Sequence, residues 1–126
     1  MLKSQPIVAF VATTNPRRAK AFYAKTLGLR LTSEDPFALV FNAHGTTMRI
    51  ANVSNVKSFK PAPFTIVGWV VTNVGDTVGD LVKKGVAFER FPGMDQDLQG
   101  VWQSPSGARV AWFRDPDGNI LSITQI

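Results

Sequence analysis

The chain carries the same order of elements twice, and an internal repeat restricts the possible folds more than any single motif does. Ile7 to Thr13 is apolar and rich in β-formers, so it predicts a buried strand, and Phe64 to Thr72 has the same character. Thr14-Asn15 then matches Thr72-Asn73, and Gly28 falls close to the place of Gly85. In each half the Asn is set to cap a helix and the Gly to end it. Asn15-Pro16 opens a helix running to about Leu27, with Ala19, Phe22, Tyr23, Thr26 and Leu27 on one apolar face. Asn73 opens another from about Val74 to Lys84, with Val74, Val78, Leu81 and Val82 on its face. After the first helix, Leu29 to Glu34, Phe37 to Asn42 and Thr46 to Val53 are expected strands, the last two joined by an Ala43-His44-Gly45 turn. After the second, Val86 to Arg90 is an expected strand, a loop passes through Pro92-Gly93, and three short strands fill the remainder. Laid over each other, the halves run strand–helix–strand–strand–strand. The prediction is an α+β fold of two tandem β-α-β-β-β modules, about 5–54 and 64–126. They are joined by a linker over about 54–63 that carries Ser, Lys and two Pro.

At 126 residues the chain is expected to be a single domain with a real core. Its 44% hydrophobic and 18% charged content argues against disorder. No apolar run reaches the roughly 18 residues of a membrane span, so no membrane partner is expected. The N-terminus lacks a basic segment followed by an apolar one, so no signal peptide is read and a cytoplasmic location is expected. The absence of cysteine rules out disulfides, thiolate catalysis and thiolate metal ligands. The net charge is +5, but the bases are scattered: Arg17, Arg18, Lys20 and Lys25 on one helix, Lys57 and Lys60 in the linker, Lys83 and Lys84 at a helix end. That distribution predicts no nucleic-acid partner. It does favour an anionic small ligand.

Near the C-terminus, Asp115-Pro116-Asp117-Gly118-Asn119 has turn chemistry at every position. Val110 to Phe113 before it and Ile120 to Ile123 after it are apolar, which makes a β-hairpin. This segment resembles the D-P-D-G-N closing hairpin of the vicinal-oxygen-chelate superfamily, which holds glyoxalase I, extradiol dioxygenases and the bleomycin- and fosfomycin-resistance proteins. Ala19-Lys20-Ala21-Phe22-Tyr23 followed by Leu27-Gly28-Leu29 is similar to the A-x-x-F-Y…L-G of that family's first helix. The resemblance covers essentially the whole chain. It implies a curved eight-stranded sheet around a cavity, helices on the convex face, and a homodimer.

The resemblance also implies where a metal would sit. The family uses one inward position on the first and one on the last strand of each half, which fall here at Val8, Arg49, Ile66 and Ser122. Ser122 stands where metal-using members carry a Glu. Divalent metals need imidazole, carboxylate or similar donors. Val and Ile offer none, Arg is a permanent cation, and Ser is a weak neutral ligand. No metal and no cofactor are therefore expected, and no residue is assigned as catalytic.

Arg49 is the most informative single residue. It is an exposed strand arginine, a cation paired with an internal Asp or Glu, or a guanidinium awaiting an anionic ligand. Phe10, Trp112 and Val110 share inward parity with Val8 and Ser122, so they either fill the interior as core or line an aromatic pocket. Trp102 follows the polar loop Met94-Asp95-Gln96-Asp97 and is read as a pocket gate or a subunit contact. Trp69 has the opposite parity and is assigned to packing against a helix. His44, in a turn, is read as solvated. Asp76 and Asp80 share a helix face near its start, where they favour the dipole. The candidate ligand-binding set is Phe10, Arg49, Trp102, Trp112 and Ser122. The expectation is a metal-independent binder of a small apolar or aromatic molecule, with Arg49 orienting an anionic or carbonyl group. The net positive charge speaks against bleomycin, a cation, as that ligand. The alternative is a lyase or isomerase in which Arg49 stabilises an enolate or carboxylate. A pure interaction domain is a third class, favoured by a fully packed interior.

Overall fold

A computed structural model describes residues 1–126. The chain divides into two compact units, Met1–Pro61 and Ala62–Ile126. Each contains one four-stranded mixed sheet with a helix, so the α+β class and the duplicated module are both present.

The first unit holds β1 (Val8–Thr13), α1 (Pro16–Ala21), β2 (Arg30–Glu34), β3 (Ala38–Ala43) and β4 (Thr46–Asn52), with strand order β1-β4-β3-β2. β1 runs parallel to β4, and the other pairs are antiparallel. Asn15 caps α1 as its type predicts: its Oδ1 accepts the Arg18 N–H at 3.1 Å, and Pro16 sits in the first turn. The helix differs from expectation in one respect. After Ala21 it widens into a π-helical turn over Phe22–Thr26, where the Leu27 N–H bonds Phe22 O at 2.9 Å. The turn keeps Tyr23 fully buried, 6.1 Å from the Phe41 ring. A helix this short is not stable alone, and Ala19 and Tyr23 hold it by packing. One sheet face, carrying Val11, Leu39, Phe41, Met48 and Ile50, is buried. The His44-Gly45 turn joining β3 to β4 has φ of 50° and 91°, the two positive values of a type I′ hairpin.

The second unit holds β5 (Thr65–Val70), α2 (Val74–Lys83), β6 (Trp102–Gln103), β7 (Arg109–Arg114) and β8 (Ile120–Gln125), ordered β5-β8-β7-β6. Asn73 caps α2 through the Asp76 N–H at 3.0 Å, and Gln125 Oε1 accepts the Val74 N–H at 2.9 Å. Val74, Val78 and Leu81 are buried, as are Ala111, Phe113, Leu121 and Ile123 on one sheet face. Trp69 pairs with Ile123 and so lies on that face, as its parity predicts. The Asp115–Asn119 turn is closed by its own side chains. Asp115 Oδ1 accepts the Asp117 and Asn119 N–H groups at 2.9 Å, and Oδ2 accepts Asn119 Nδ2 at 2.8 Å.

The expected strand over Val86–Arg90 does not form. Only Phe88 bridges Phe113, and the Glu89 N–H bonds Trp112 O at 2.8 Å. Trp102 pairs with Val110 and Gln103 with Arg109 farther along the same β7 edge. The second module therefore has four strands, with the short β6 in the place expected of Val86–Arg90.

Candidate functional site

In each module the sheet face opposite the buried one is open, and the pleat decides which side chains reach it. In the first module Phe10 pairs directly with Arg49, Arg49 with Val40, and Val40 with Ser33. Phe10 is 65% exposed although it is a large apolar residue, and Arg49 is half-buried. The predicted Phe10–Arg49 association on one face is thus a cross-strand pair. Val8 occupies the same face one row away, opposite Thr47.

No carboxylate of the module lies within ion-pair distance of the Arg49 guanidinium; the chain's ion pairs are Lys20–Glu34, Arg109–Asp97 and Arg114–Glu89. Asp35 comes nearest in effect. Its carboxyl is held below the usual range, chiefly by the Phe37 N–H and then the Ala38 N–H, with the Arg49 charge adding the least. Those N–H groups donate to Asp35 Oδ1 at 2.8 and 2.9 Å. Asp35 is therefore a turn-closing carboxylate that feels Arg49 without pairing with it.

In the second module Trp112 pairs with Ser122, and Ser122 with Gly68, so all three share the open face. Gly68 is required there by close approach: a Cβ would stand 3.0 Å from Ser122 O and still closer to its Oγ. Trp112 is fixed from three directions. Its Nε1 donates to Thr65 Oγ1 at 3.1 Å, Phe91 meets it edge-on at 5.6 Å, and Trp102 lies tilted at 6.1 Å. Beside this cluster is a cleft of about 210 Å³ lined by Pro63, Phe64, Thr65, Phe91, Met94, Trp112 and Ile120.

The loop beside Trp102, the residue read as a pocket gate or a subunit contact, is held by hydrogen bonds. Gln96 Nε2 donates to Glu89 O and Gly100 O at 3.0 and 2.8 Å, and Gln96 Oε1 accepts the Phe91 N–H at 2.8 Å. Phe91 and Met94 were missed as cleft residues. They lie in a loop without periodicity, and only an aromatic beside Pro92-Gly93 could have drawn notice.

Phe10 and Arg49 thus belong to the first open face, and Trp102, Trp112 and Ser122 to the second. Val8 and Ile66 supply no lone pair to a metal. The in-register partners of Arg49 and Ser122, which are Phe10 and Gly68, supply none either. No three His, Cys, Asp or Glu side chains converge anywhere in the chain. His44 is exposed in its turn. The residues present do not fit the metal that the fold's metal-using members bind. No helix is long and apolar enough to cross a membrane.

Comparison with solved structures gives likenesses over nearly the full length. A glyoxalase/bleomycin resistance protein/dioxygenase superfamily member from Sphaerobacter thermophilus DSM 20745 is 21% identical, with a TM-score of 0.75 over 100% of both chains. Lactoylglutathione lyase from Agrobacterium tumefaciens is 15% identical, with a TM-score of 0.73 over 97% of this chain and 93% of that one. TnmS3, an antibiotic binding protein from Streptomyces sp. CB03234, is 21% identical, with a TM-score of 0.72 over 99% and 98%. At such identities these likenesses show the fold. Comparison with curated proteins gave no match. The family model described as Glyoxalase/Bleomycin resistance protein/Dioxygenase superfamily matches residues 6–123, and with the paired β-α-β-β-β modules and the Asp115–Asn119 hairpin it places the chain: it belongs to that superfamily.

Proposed function

We propose that this chain is a metal-independent small-molecule binding protein of its superfamily, taking an apolar or aromatic ligand. The observation that carries the reading is the open face of the second sheet. It presents Trp112 and Phe91 at the rim of a cleft, with Ser122 paired to Trp112 on the neighbouring strand. Exposed ring surface beside an apolar cleft supports recognition by stacking and contact area. On the first module's own face, the unpaired Arg49 beside Phe10 supports binding of an anionic or carbonyl group there. TnmS3 adds weight as a fold neighbour that binds an antibiotic.

The lyase or isomerase alternative lacks a base. The carboxylate that senses Arg49, Asp35, has its pKa lowered, which weakens it as a proton acceptor at neutral pH. A homodimer is the assembly we infer, from the resemblance to the superfamily.

Two measurements test the reading together. Elemental analysis of the purified chain is expected to find no stoichiometric metal, and Ni²⁺, Zn²⁺, Fe²⁺ and Mn²⁺ are expected to leave the melting temperature unchanged. Titration with 1-naphthol is expected to quench tryptophan fluorescence equally with and without EDTA. A bound metal, or quenching abolished by EDTA, sinks the proposal.

A further inference from the structure

Arg49 has a second cation on its own sheet face. Arg30 pairs with Asn42, and Asn42 with Thr47, one row along from Phe10–Arg49–Val40. By pleat parity these side chains emerge on the same side. Their exposure agrees: Arg30, Asn42 and Thr47 are exposed, whereas Phe41 and Met48, between the rows, are buried. β2 lies two strands from β4, and the rows are two residues apart, so the two arginine Cα atoms stand roughly 12 Å apart from sheet spacings alone. Two extended arginine side chains can close that distance on one ligand.

Neither arginine takes part in the chain's ion pairs. The neutral polar neighbours, Asn42 and Thr47, offer hydrogen bonds without compensating charge. Asp35, the nearest acid in effect, has one oxygen committed to the Phe37 and Ala38 N–H groups. A sheet face with two guanidinium groups, no pairing carboxylate and one exposed ring is matched by a ligand of complementary build. One negative charge would leave one cation uncompensated; two charges satisfy both, and guanidinium forks bind phosphate and carboxylate oxygens in pairs.

We infer that the open face of the first sheet is a subsite for an aryl dianion, with Arg49 and Arg30 sharing the charged group and Phe10 taking the ring. This rests on the small-molecule binding reading and assigns a ligand class to the first sheet's own face. The charged group is a phosphate, or two adjacent carboxylates on one fused ring system.

The test is calorimetric titration of the full chain with 1-naphthol, 1-naphthoate, 1-naphthyl phosphate, naphthalene-1,8-dicarboxylate and inorganic phosphate. The expected order places the two dianions at least about tenfold tighter than naphthol, with naphthoate between, a ratio set by one or two charge-assisted contacts. Arg49→Gln should weaken naphthyl phosphate about tenfold and Arg30→Gln about threefold, since Arg30 is the more exposed. Both variants should weaken naphthol less than they weaken naphthyl phosphate. Arg17→Gln, which removes an exposed charge on α1, should change nothing. Preference for only one dianion identifies the charged group and supports the site. Equal affinity for naphthol and the dianions overturns this inference while leaving the binding reading intact. So does an Arg17→Gln loss as large as that of Arg49→Gln, or inorganic phosphate binding as tightly as naphthyl phosphate. Failure of every naphthyl compound to bind overturns both.

Discussion

Trp112 is the residue whose replacement most directly tests how the second open face is built. Trp112→Phe removes the indole N–H that Thr65 Oγ1 accepts at 3.1 Å. That bond is solvent-exposed, so its net contribution is near the lower end for neutral pairs, about 0.5–1 kcal/mol. The variant keeps a ring but shortens it, which weakens the contacts to Phe91 at 5.6 Å and Trp102 at 6.1 Å. Each intact ring pair contributes about 0.5–1.5 kcal/mol, and losing roughly half of each gives about another 1 kcal/mol. The expected destabilisation is therefore about 1.5–2 kcal/mol. With a urea slope of about 1.5–2 kcal/mol/M, the unfolding midpoint should fall by about 1 M. Thr65→Val removes only the acceptor and leaves the N–H free to meet water, so it should cost about 0.5–1 kcal/mol. The double variant should show a coupling of about 0.5–1 kcal/mol, because the second change finds the bond already gone. The same Trp112→Phe protein should bind naphthol more weakly. A midpoint shift below about 0.2 M with no coupling would show that the indole is not anchored as described, and the cleft could not be taken as preformed.

Gly68→Ala should destabilise the chain by about 1–3 kcal/mol through overpacking against Ser122, and Ser122→Ala should restore part of it by removing the Oγ; urea midpoints of the two variants decide. Asp35 binds its N–H partners as the anion, so its folded pKa lies below its unfolded value. Its contribution is present above about pH 4 and is lost as pH falls through the lower folded value, so the stability gap between wild type and Asp35→Asn should shrink in acid. An undiminished gap at about pH 2 would mean that the charge is not what those N–H groups recognise. His44→Asn should raise stability by a few tenths of a kcal/mol, roughly 0.3, because Asn tolerates a φ of 50° better; a lower melting temperature would contradict this.

The module architecture was legible because three independent signals agreed on it. Asn15 and Asn73 each cap through Oδ1, and the period of α2 puts Val74, Val78 and Leu81 inside. His44-Gly45 makes the tight hairpin that an alternating sequence on either side requires. Two features were not legible. The π-helical turn at Phe22–Thr26 follows the same apolar spacing as an α-helix, and what settles it is the burial of Tyr23 against Phe41. Val86–Arg90 looks like a strand because its alternation is real, yet only Phe88 bridges β7, and Trp102–Gln103 form the edge strand. Local pattern reports what a segment can do, not which segment pairs.

The candidate site divides along the same line. Parity along a strand has period two, so the sharing of one face by Phe10 and Arg49, and of another by Trp112 and Ser122, follows once one inward residue is known. Register does not follow, and it is register that puts Phe10 rather than Val8 opposite Arg49 and brings Arg30 into the adjacent row. The two faces of each sheet also answer to different demands. Val11, Met48, Ile50, Leu121 and Ile123 are buried, and any large change there leaves a cavity or a clash. The open faces are constrained less uniformly: Ser122 crowds Gly68, whereas Phe10 stands 65% exposed. The fold matches a lyase and an antibiotic binder about equally well at 15% and 21% identity, so the fold alone does not name the chemistry. On the open faces this chain offers rings and unpaired guanidinium groups, and the proposed binding function rests on their area and charge.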